Sequence, residues 1–222
     1  MKRVTLFAGH YGSGKTNIAV NYALHLKSQG KDVVVADMDI VNPYFRTKDS
    51  TDVLEKVGIE LISPKFANSN VDLPALPQEM YKTVQDRSKF SVLDIGGDDR
   101  GAYALGRYRP YILEENNYEM VFVANFYRPL TTTPSEALEV MREIERAAGI
   151  PFTAIVNNSN IGNETTADDV LATVDRAEEL AKLSGLPLIF TAATTKVADG
   201  LSFKLQNVLP LNLQSKYFDI KE

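Results

Sequence analysis

Residues 9–16 read GHYGSGKT and follow directly after the apolar run RVTLFA at residues 3–8. They match the pattern G-x-x-x-x-G-K-[ST] at Gly9, Gly14, Lys15 and Thr16. Glycines lack the Cβ that would keep backbone N–H groups away from a polyanion, and a following helix directs its positive end at the same place. In this pattern the lysine reaches the β- and γ-phosphates, and the threonine hydroxyl binds Mg²⁺. The stretch therefore predicts a triphosphate-binding turn between a strand and a helix; the alternative is an ordinary glycine turn.

The composition narrows the classes of function that the chain can have. Its 222 residues carry a formal net charge of −5, which argues against bulk attraction to nucleic acid or to an anionic membrane. It has no cysteine, so disulfides, thiolate zinc sites, Fe–S clusters and cysteine nucleophiles are excluded within the chain. No apolar stretch approaches the length of a membrane span, and the apolar run near the N-terminus is too short for a signal peptide. We therefore expect a cytoplasmic protein.

Seven short apolar segments alternate with helical patterns along the chain. The segments are RVTLFA, DVVVAD, IELIS, FSVLDI, MVFVANF, FTAIVNN and LPLIFTA. Most are continuous apolar runs, which is typical of parallel strands buried on both faces. Helices are predicted over 15–30, 133–149 and 164–185, each ending at a glycine. These features predict an α/β fold with a doubly wound, mostly parallel sheet flanked by helices, in a single domain over residues 1–222.

Acidic residues stand where two of these strands end. Asp37 and Asp39 follow the second apolar segment, and Asp94 stands in the sequence LDIGGDD, three residues before Gly97. The carboxyl ends of parallel strands line the ligand crevice of an open sheet. An acid there can hold Mg²⁺ through water and a second can orient an attacking water, while the Gly97 N–H could sense the γ-phosphate. A solvated loop carrying acids is the alternative.

With the glycine-rich turn, the DMD strand end and LDIGGDD, the chain resembles the MinD/ParA/CobQ-CobB-type P-loop ATPases of the SIMIBI class. The nitrogenase iron protein belongs to the same class. The resemblance runs over nearly the whole chain, through VANFYRPLTTTPSEALEVMREI and AIVNNSNIG. It implies an Mg²⁺ shell of Thr16, Asp37 and Asp94, catalytic roles for Lys15 and for Asp39 as the residue that positions water, and an adenine contact at Asn157. The nucleotide-binding set that it implies is Gly9, His10, Gly12, Ser13, Gly14, Lys15, Thr16, Asn17, Gly97 and Asn157.

His10 departs from the pattern of this family. Members that hydrolyse ATP across a face-to-face dimer carry a signature lysine directly after the first glycine, where this chain has His10 followed by Tyr11. A histidine is shorter and largely neutral near pH 7, so it cannot supply a permanent cation. We expect slow turnover, or turnover that needs a partner to supply a cation; Arg46, Arg100 or Arg107 are possible substitutes. The alternative is that His10 only packs beside the nucleotide.

Three functions fit these residues. The preferred one is an MgATP-binding, slow or partner-stimulated ATPase that acts as a nucleotide switch, with a homodimer or a protein as partner. ATP is favoured over GTP because residues 157–160, NNSN, lack the lysine and acid of a guanine signature. The first alternative is an ATP-dependent carboxylate-activating ligase that resembles dethiobiotin synthetase or cobyrinic acid a,c-diamide synthase, with a second pocket built from 40–80 or 98–112. The second is a regulator that binds nucleotide without hydrolysing it. A membrane anchor is not expected, because the C-terminal sequence contains Pro210 and little positive charge.

Overall fold

The structure, a computed structural model, describes residues 1–39, 50–63, 78–97 and 99–213. Within these residues the strands are β1 (Val4–Ala8), β2 (Val33–Met38), β3 (Glu60–Ile62), β4 (Phe90–Ile95), β5 (Tyr118–Ala124), β6 (Ala154–Asn157), β7 (Leu188–Thr194) and β8 (Val208–Leu211). The helices are α1 (Lys15–Ser28), α2 (Thr51–Lys56), α3 (Met80–Gln85), α4 (Asp99–Leu105), α5 (Arg109–Glu115), α6 (Pro134–Ala148), α7 (Ala167–Leu171), α8 (Val174–Ser184) and α9 (Thr195–Leu201).

The strands form one sheet in the order β3-β2-β4-β1-β5-β6-β7-β8, and each neighbouring pair is parallel. The predicted fold class is thus confirmed, including all seven strands that the apolar segments indicated. β1 lies in the middle of the sheet, between β4 and β5, and the chain builds outward from it on both sides. Such a reversal of strand order opens a crevice at the carboxyl ends of the strands, where ligands bind in open α/β sheets.

Two apolar layers cover the two faces of the sheet, as the alternation along β1 illustrates. Leu6 packs in one cluster with residues of α3, α4, α5, α6 and α8, whereas Phe7 packs in the other with residues of α1 and α2. Both side chains are fully buried. Because each central strand is buried on both faces, its sequence is a continuous apolar run rather than an alternating one.

The predicted end signals of α6 are present in the structure. Thr133 accepts a hydrogen bond from the Glu136 backbone N–H, and the Glu136 carboxylate accepts one from the Thr133 N–H, which is a capping box. Pro134 occupies the first helical position, and Gly149 ends the helix in the left-handed conformation with φ 65°. Local sequence therefore fixes both ends of this helix.

Two elements differ from the sequence prediction. The helix predicted over 164–185 is divided into α7 and α8, because the Thr173 side chain turns inward at the break and donates a hydrogen bond of 2.7 Å to the Val170 carbonyl. The strand β8 was not predicted, since Pro210 lies inside it and lowers the strand signal. β8 stands at the edge of the sheet, where a residue without an N–H is tolerated.

Candidate phosphate-binding site

In the turn between β1 and α1, the backbone at Gly9 lies close to the backbone of β5. A Cβ on Gly9 would lie 2.6 Å from the carbonyl oxygen of Val123 on β5, so only glycine fits there. Gly14 has φ 86°, in the left-handed region, and directly precedes α1. The Ser13 N–H donates to the His10 carbonyl at 3.1 Å, which closes the turn. The predicted turn between a strand and a helix is therefore present, with α1 beginning at Lys15.

Lys15 directs its ammonium group back along the turn. The side chain is 7% exposed, and Nζ donates a hydrogen bond of 3.2 Å to the carbonyl oxygen of His10. A positive charge thus lies against the backbone of the glycine-rich turn. This is the arrangement in which an ammonium group neutralises the terminal phosphates of a nucleotide.

Thr16 and the two strand-end acids lie together beside the turn. Thr16 Oγ1 donates a hydrogen bond of 2.6 Å to Asp94 Oδ2. Asp37 on β2 is the register partner of Asp94 on β4, and both carboxylates are buried. The Asp39 N–H donates to Asp37 Oδ1 at 3.0 Å, so Asp39 follows immediately at the same edge of the sheet. The structure brings together the four residues for which the sequence suggests roles in metal binding and water positioning.

The chemistry of this donor set fits Mg²⁺. Carboxylate and hydroxyl oxygens are hard ligands, and Mg²⁺ uses one or two carboxylates together with waters and phosphate oxygens. Across the described parts of the chain, no three His, Asp or Glu side chains gather into a metal-binding group. Thr16, Asp37 and Asp94 supply two carboxylates and a hydroxyl, which leaves the remaining positions of an Mg²⁺ shell to water and phosphate.

Gly97 packs directly on the turn. A Cβ at this residue would lie 2.9 Å from Lys15 Nζ and 3.0 Å from the Tyr11 N and Cα atoms. The neighbouring Gly96 lies against Asp39, with its Cβ position 3.4 Å from Asp39 Oδ1. The segment after β4 is therefore in contact with both the lysine and the acid of the site. The predicted contact of the Gly97 N–H with a γ-phosphate stays a prediction.

His10, which stands at the position of the family's signature lysine, makes a local hydrogen bond. Its Nδ1 lies 3.0 Å from the Tyr11 carbonyl oxygen, so this ring nitrogen is used in a local hydrogen bond. Tyr11 itself is 56% exposed. Of the suggested substitutes, Arg107 is exposed between α4 and α5, whereas Arg46 and the side chain of Arg100 lie outside the described residues.

Two residues that sequence reasoning missed contact the turn. Arg128 Nε donates to the Gly12 carbonyl at 3.1 Å, and Asn158 Nδ2 donates to the Ser13 carbonyl at 2.7 Å. Arg128 follows β5 and Asn158 follows β6, so both stand just beyond the carboxyl end of a strand. The rule that indicated Asp37 and Asp94 could have indicated these two residues as well.

Asn157 is the least accessible of the predicted nucleotide contacts. Its side chain is fully buried, donates to Thr173 Oγ1 at 3.0 Å, and accepts from Ser159 Oγ at 2.7 Å. Asn17, in the first turn of α1, is half-buried and accepts a hydrogen bond from Asn21 through its carbonyl. The role of Asn157 as a base contact stays a prediction.

Several predictions concern parts of the chain that are not described. The second pocket of the ligase alternative was expected within 40–80 or 98–112; residues 40–49, 64–77 and 98 of these ranges lie outside the described residues. The same is true of residues 214–222 at the C-terminal end. In the helices that are described, no segment has the length and apolar character to cross a bilayer.

No protein-family model and no curated protein sequence matches the chain. Solved structures of FtsY do match it. The cell division protein FtsY of Thermotoga maritima is 20% identical, with a TM-score of 0.62 over 87% of this chain and 62% of that one. The signal recognition particle receptor FtsY of Elizabethkingia anophelis, in complex with GDP, is 16% identical, with a TM-score of 0.55 over 86% and 57%. Chloroplast FtsY of Physcomitrella patens is 18% identical, with a TM-score of 0.59 over 86% and 58%.

These likenesses concern the fold. The chain has the P-loop NTPase fold of the FtsY structures, in which helices flank a parallel sheet. It spans between 57% and 62% of the length of these three FtsY proteins. The solved structures share the fold that the sequence resemblance implied, and they do not single out MinD, ParA or CobQ.

Proposed function

We propose that this protein is a magnesium-dependent nucleoside-triphosphate switch that hydrolyses its nucleotide slowly or with the help of a partner. The observation that carries the proposal is the meeting of Lys15, Thr16, Asp94 and Gly97 beside the turn after β1. Anion-binding backbone, an ammonium group, oxygen ligands for a hard cation and a glycine of a following loop are the parts that phosphoryl transfer requires.

Each residue has a distinct part in the proposed mechanism. The backbone amides of the turn and Lys15 bind the phosphates, while Thr16, Asp37 and Asp94 hold Mg²⁺, which neutralises charge as it develops. Asp39 orients the attacking water and accepts its hydrogen bond. Gly97 contacts Lys15 and Tyr11, so loss of the terminal phosphate would change the surroundings of the segment after β4.

The slow hydrolysis that we propose is explained by the histidine at position 10. A permanent cation in contact with the transferring phosphoryl group accelerates hydrolysis by about 10³–10⁵-fold in enzymes that have one. His10 uses Nδ1 in a local hydrogen bond and stands where related ATPases have a lysine. We therefore propose slow basal turnover that a partner accelerates.

The base is proposed to be a purine, and two observations point to different ones. The fold is shared with an FtsY structure that contains GDP, which favours guanine. The segment 157–160 has neither the lysine nor the acid of a guanine signature, which supports the ATP prediction. Competition between MgATP and MgGTP for the same site decides between them.

The test follows phosphate release and nucleotide affinity for the wild-type chain, Lys15→Ala and a matched control, Lys182→Ala, whose lysine is exposed on α8. We expect Lys15→Ala to lose turnover by about 10²–10³-fold, because a charge that stabilises the transition state is removed. The control should match the wild type. Absence of any nucleotide binding by the wild-type chain, with Mg²⁺ present, would overturn the proposal.

The same assay separates the alternatives. Phosphate release that requires an added carboxylate substrate, with or without CO₂, would identify a ligase. Slow release that increases when the chain dimerises, or when a partner is added, supports the switch. Tight binding with no release under any of these conditions identifies a regulator that does not hydrolyse.

A further inference from the structure

Arg128 lies along the outside of the phosphate-binding turn. Its Nε donates a hydrogen bond of 3.1 Å to the carbonyl oxygen of Gly12. A Cβ on Gly12 would lie 3.4 Å from Nε and 3.7 Å from Cζ of the same side chain. The guanidinium group thus covers the position where Gly12 has no side chain, so Gly12 provides the room for it.

The backbone that carries Arg128 is held in a closed turn. The Arg128 N–H donates to the Asn125 carbonyl at 3.1 Å, and Thr131 Oγ1 donates to the same carbonyl at 2.8 Å. Asn125 is fully buried, and its Oδ1 accepts from the Tyr127 N–H at 3.0 Å. These bonds fix the backbone between Asn125 and Thr131. The Cα and Cβ atoms of Arg128 are therefore placed independently of any ligand.

Within the described residues no carboxylate forms an ion pair with Arg128, whereas Arg3 pairs with Glu115 and Lys89 with Glu60. A guanidinium group has five N–H donors and remains charged at any physiological pH. One of these donors binds Gly12, and in the described part of the chain the others make no hydrogen bond. A permanent cation with available donors therefore stands beside a turn built for a polyanion.

We propose that Arg128 is a positioning residue for the triphosphate, which supplies from the same chain the permanent positive charge that His10 does not. This inference rests on the proposed function. Arg128 acts through the turn: it fixes the Gly12 carbonyl and raises the positive potential at the turn. Because a triphosphate carries more negative charge than a diphosphate, the effect is larger for the triphosphate.

The experiment compares Arg128→Ala, Arg128→Lys and Arg128→Gln with a matched control, Arg176→Ala. Arg176 is also half-buried and also donates to a backbone carbonyl of the same loop, Thr132, at 3.2 Å, but it makes no contact with the turn. Affinities for the Mg²⁺ complexes of ATP, GTP, ADP and GDP are measured by calorimetry at several KCl concentrations. Thermal unfolding without nucleotide is measured for each variant.

For whichever base binds, Arg128→Ala should weaken triphosphate affinity by about tenfold, because the turn loses both the charge-assisted hydrogen bond to the Gly12 carbonyl and a nearby positive charge. Diphosphate affinity should change less, and the salt dependence of triphosphate binding should decrease. Lysine should restore most of the salt dependence because it restores the charge, whereas glutamine should not. Arg176→Ala should bind as the wild type does.

Equal losses of triphosphate and diphosphate affinity in the alanine and glutamine variants, with no change in salt dependence, would assign Arg128 a structural role only and overturn the inference. Wild-type affinity in Arg128→Ala would overturn it as well. If Arg128→Ala fails to fold, the lysine and glutamine variants give the same comparison. Failure of the wild-type chain to bind any nucleotide would instead overturn the proposed function on which the inference rests.

Discussion

The Thr16 hydroxyl donates a hydrogen bond of 2.6 Å to Asp94 Oδ2 and so joins the first turn of α1 to the end of β4. The donor and acceptor are both oxygens that Mg²⁺ accepts as ligands. A hydroxyl that binds a metal does so through its oxygen, while its hydrogen can still be donated to a carboxylate. Under the proposed function, the bond would orient the hydroxyl oxygen toward a cation and would not compete with it.

Replacing Thr16 should reveal this orientation. We expect Thr16→Ala to raise the Mg²⁺ concentration needed for triphosphate binding by about tenfold or more, because a ligand and the group that orients Asp94 are both lost. Thr16→Ser keeps the hydroxyl and should stay close to the wild type. A Mg²⁺ titration of nucleotide binding measures the effect.

The control for this prediction is Thr132→Ala. The Thr132 hydroxyl also donates to a carboxylate, that of Glu136, at 2.6 Å, but on the exposed start of α6. It should leave the Mg²⁺ dependence unchanged. Equal Mg²⁺ dependence in all three variants would contradict the assignment of Thr16 to the metal site.

A side chain at Gly97 should disturb the contact with Lys15. The methyl group of Gly97→Ala would lie 2.9 Å from Lys15 Nζ and 3.0 Å from the Tyr11 backbone, so the ammonium group must shift. We expect a loss of preference for triphosphate over diphosphate, measured as the ratio of their affinities. Gly200→Ala is the control, since its methyl group would meet only the Ala167 Cβ, at 3.9 Å. An unchanged ratio of triphosphate to diphosphate affinity in both variants would contradict the assignment of Gly97 to the site.

Asn158 should support the turn through a single hydrogen bond. Asn158→Asp keeps the size of the side chain but removes the donor to the Ser13 carbonyl, and it places a negative charge there. The expected cost is about 1–3 kcal/mol of unfolding free energy, together with weaker nucleotide binding. Asn163→Asp makes the same change at an exposed position and should have neither effect. Denaturant unfolding measures stability, and calorimetry measures nucleotide affinity. Equal results for the two variants would contradict the role assigned to Asn158.

Arg3 and Glu115 form a nearly buried ion pair at the opposite end of the sheet, 6% and 9% exposed. The hydrogen bond from Arg3 lowers the pKa of Glu115 from its usual value of 4.5. A carboxyl group with a lowered pKa stabilises the fold above its unfolded pKa, and this contribution is lost as the pH falls through its folded pKa. The wild-type chain should therefore lose stability on acidification below about pH 4.5.

Glu115→Gln tests this pair. We expect it to lower the unfolding free energy at pH 7 by about 3 kcal/mol, because the Arg3 charge stays buried without its partner, and to flatten the decline in acid. Glu114→Gln, at the exposed neighbouring residue, is the control. The unfolding free energy is measured by denaturant unfolding from pH 3 to pH 7. The same dependence on pH in both variants would show that the ion pair contributes little to stability.

Asn157 and Thr173 offer a test of base contact. Thr173→Val is close in shape and leaves Asn157 Nδ2 without its acceptor, whereas Asn157→Ala removes the amide itself. Both changes should cost about 1–3 kcal/mol of stability. If Asn157 contacts the base, only Asn157→Ala should also change the ratio of ATP to GTP affinity; equal ratios in both variants would leave Asn157 as a structural residue.

Much of the fold follows from local sequence. The continuous apolar runs predicted seven strands of a parallel sheet, and Pro134 and Gly149 indicated the ends of α6, because caps and burial depend on short segments. β8 was missed because Pro210 argues against a strand unless its edge position is known, and strand order is a property of the whole sheet.

The site was predictable only where a motif fixes the spacing. Motif spacing predicted Lys15, Thr16 and Gly97 as site residues, and the structure brings them together beside the turn, while their roles stay predictions. Arg128 and Asn158 are more than 100 residues from the turn that they contact, so no local motif includes them, and only their position after a strand end could have indicated them. The break at Thr173 was missed because the inward position of this side chain, which contacts Asn157, depends on the folded chain.

Gly96 and Gly101 lie face to face where α4 meets the end of β4. A Cβ on Gly101 would come within 2.6 Å of the Gly96 Cα atom, and α4 packs there with no side chain between the two backbones. Because no side chain separates the two backbones, there is no flexible group between them that could absorb a displacement. Under the proposed function, a displacement of Gly97 would be transmitted through the contact of Gly96 with Gly101 to α4 and to its exposed Tyr103.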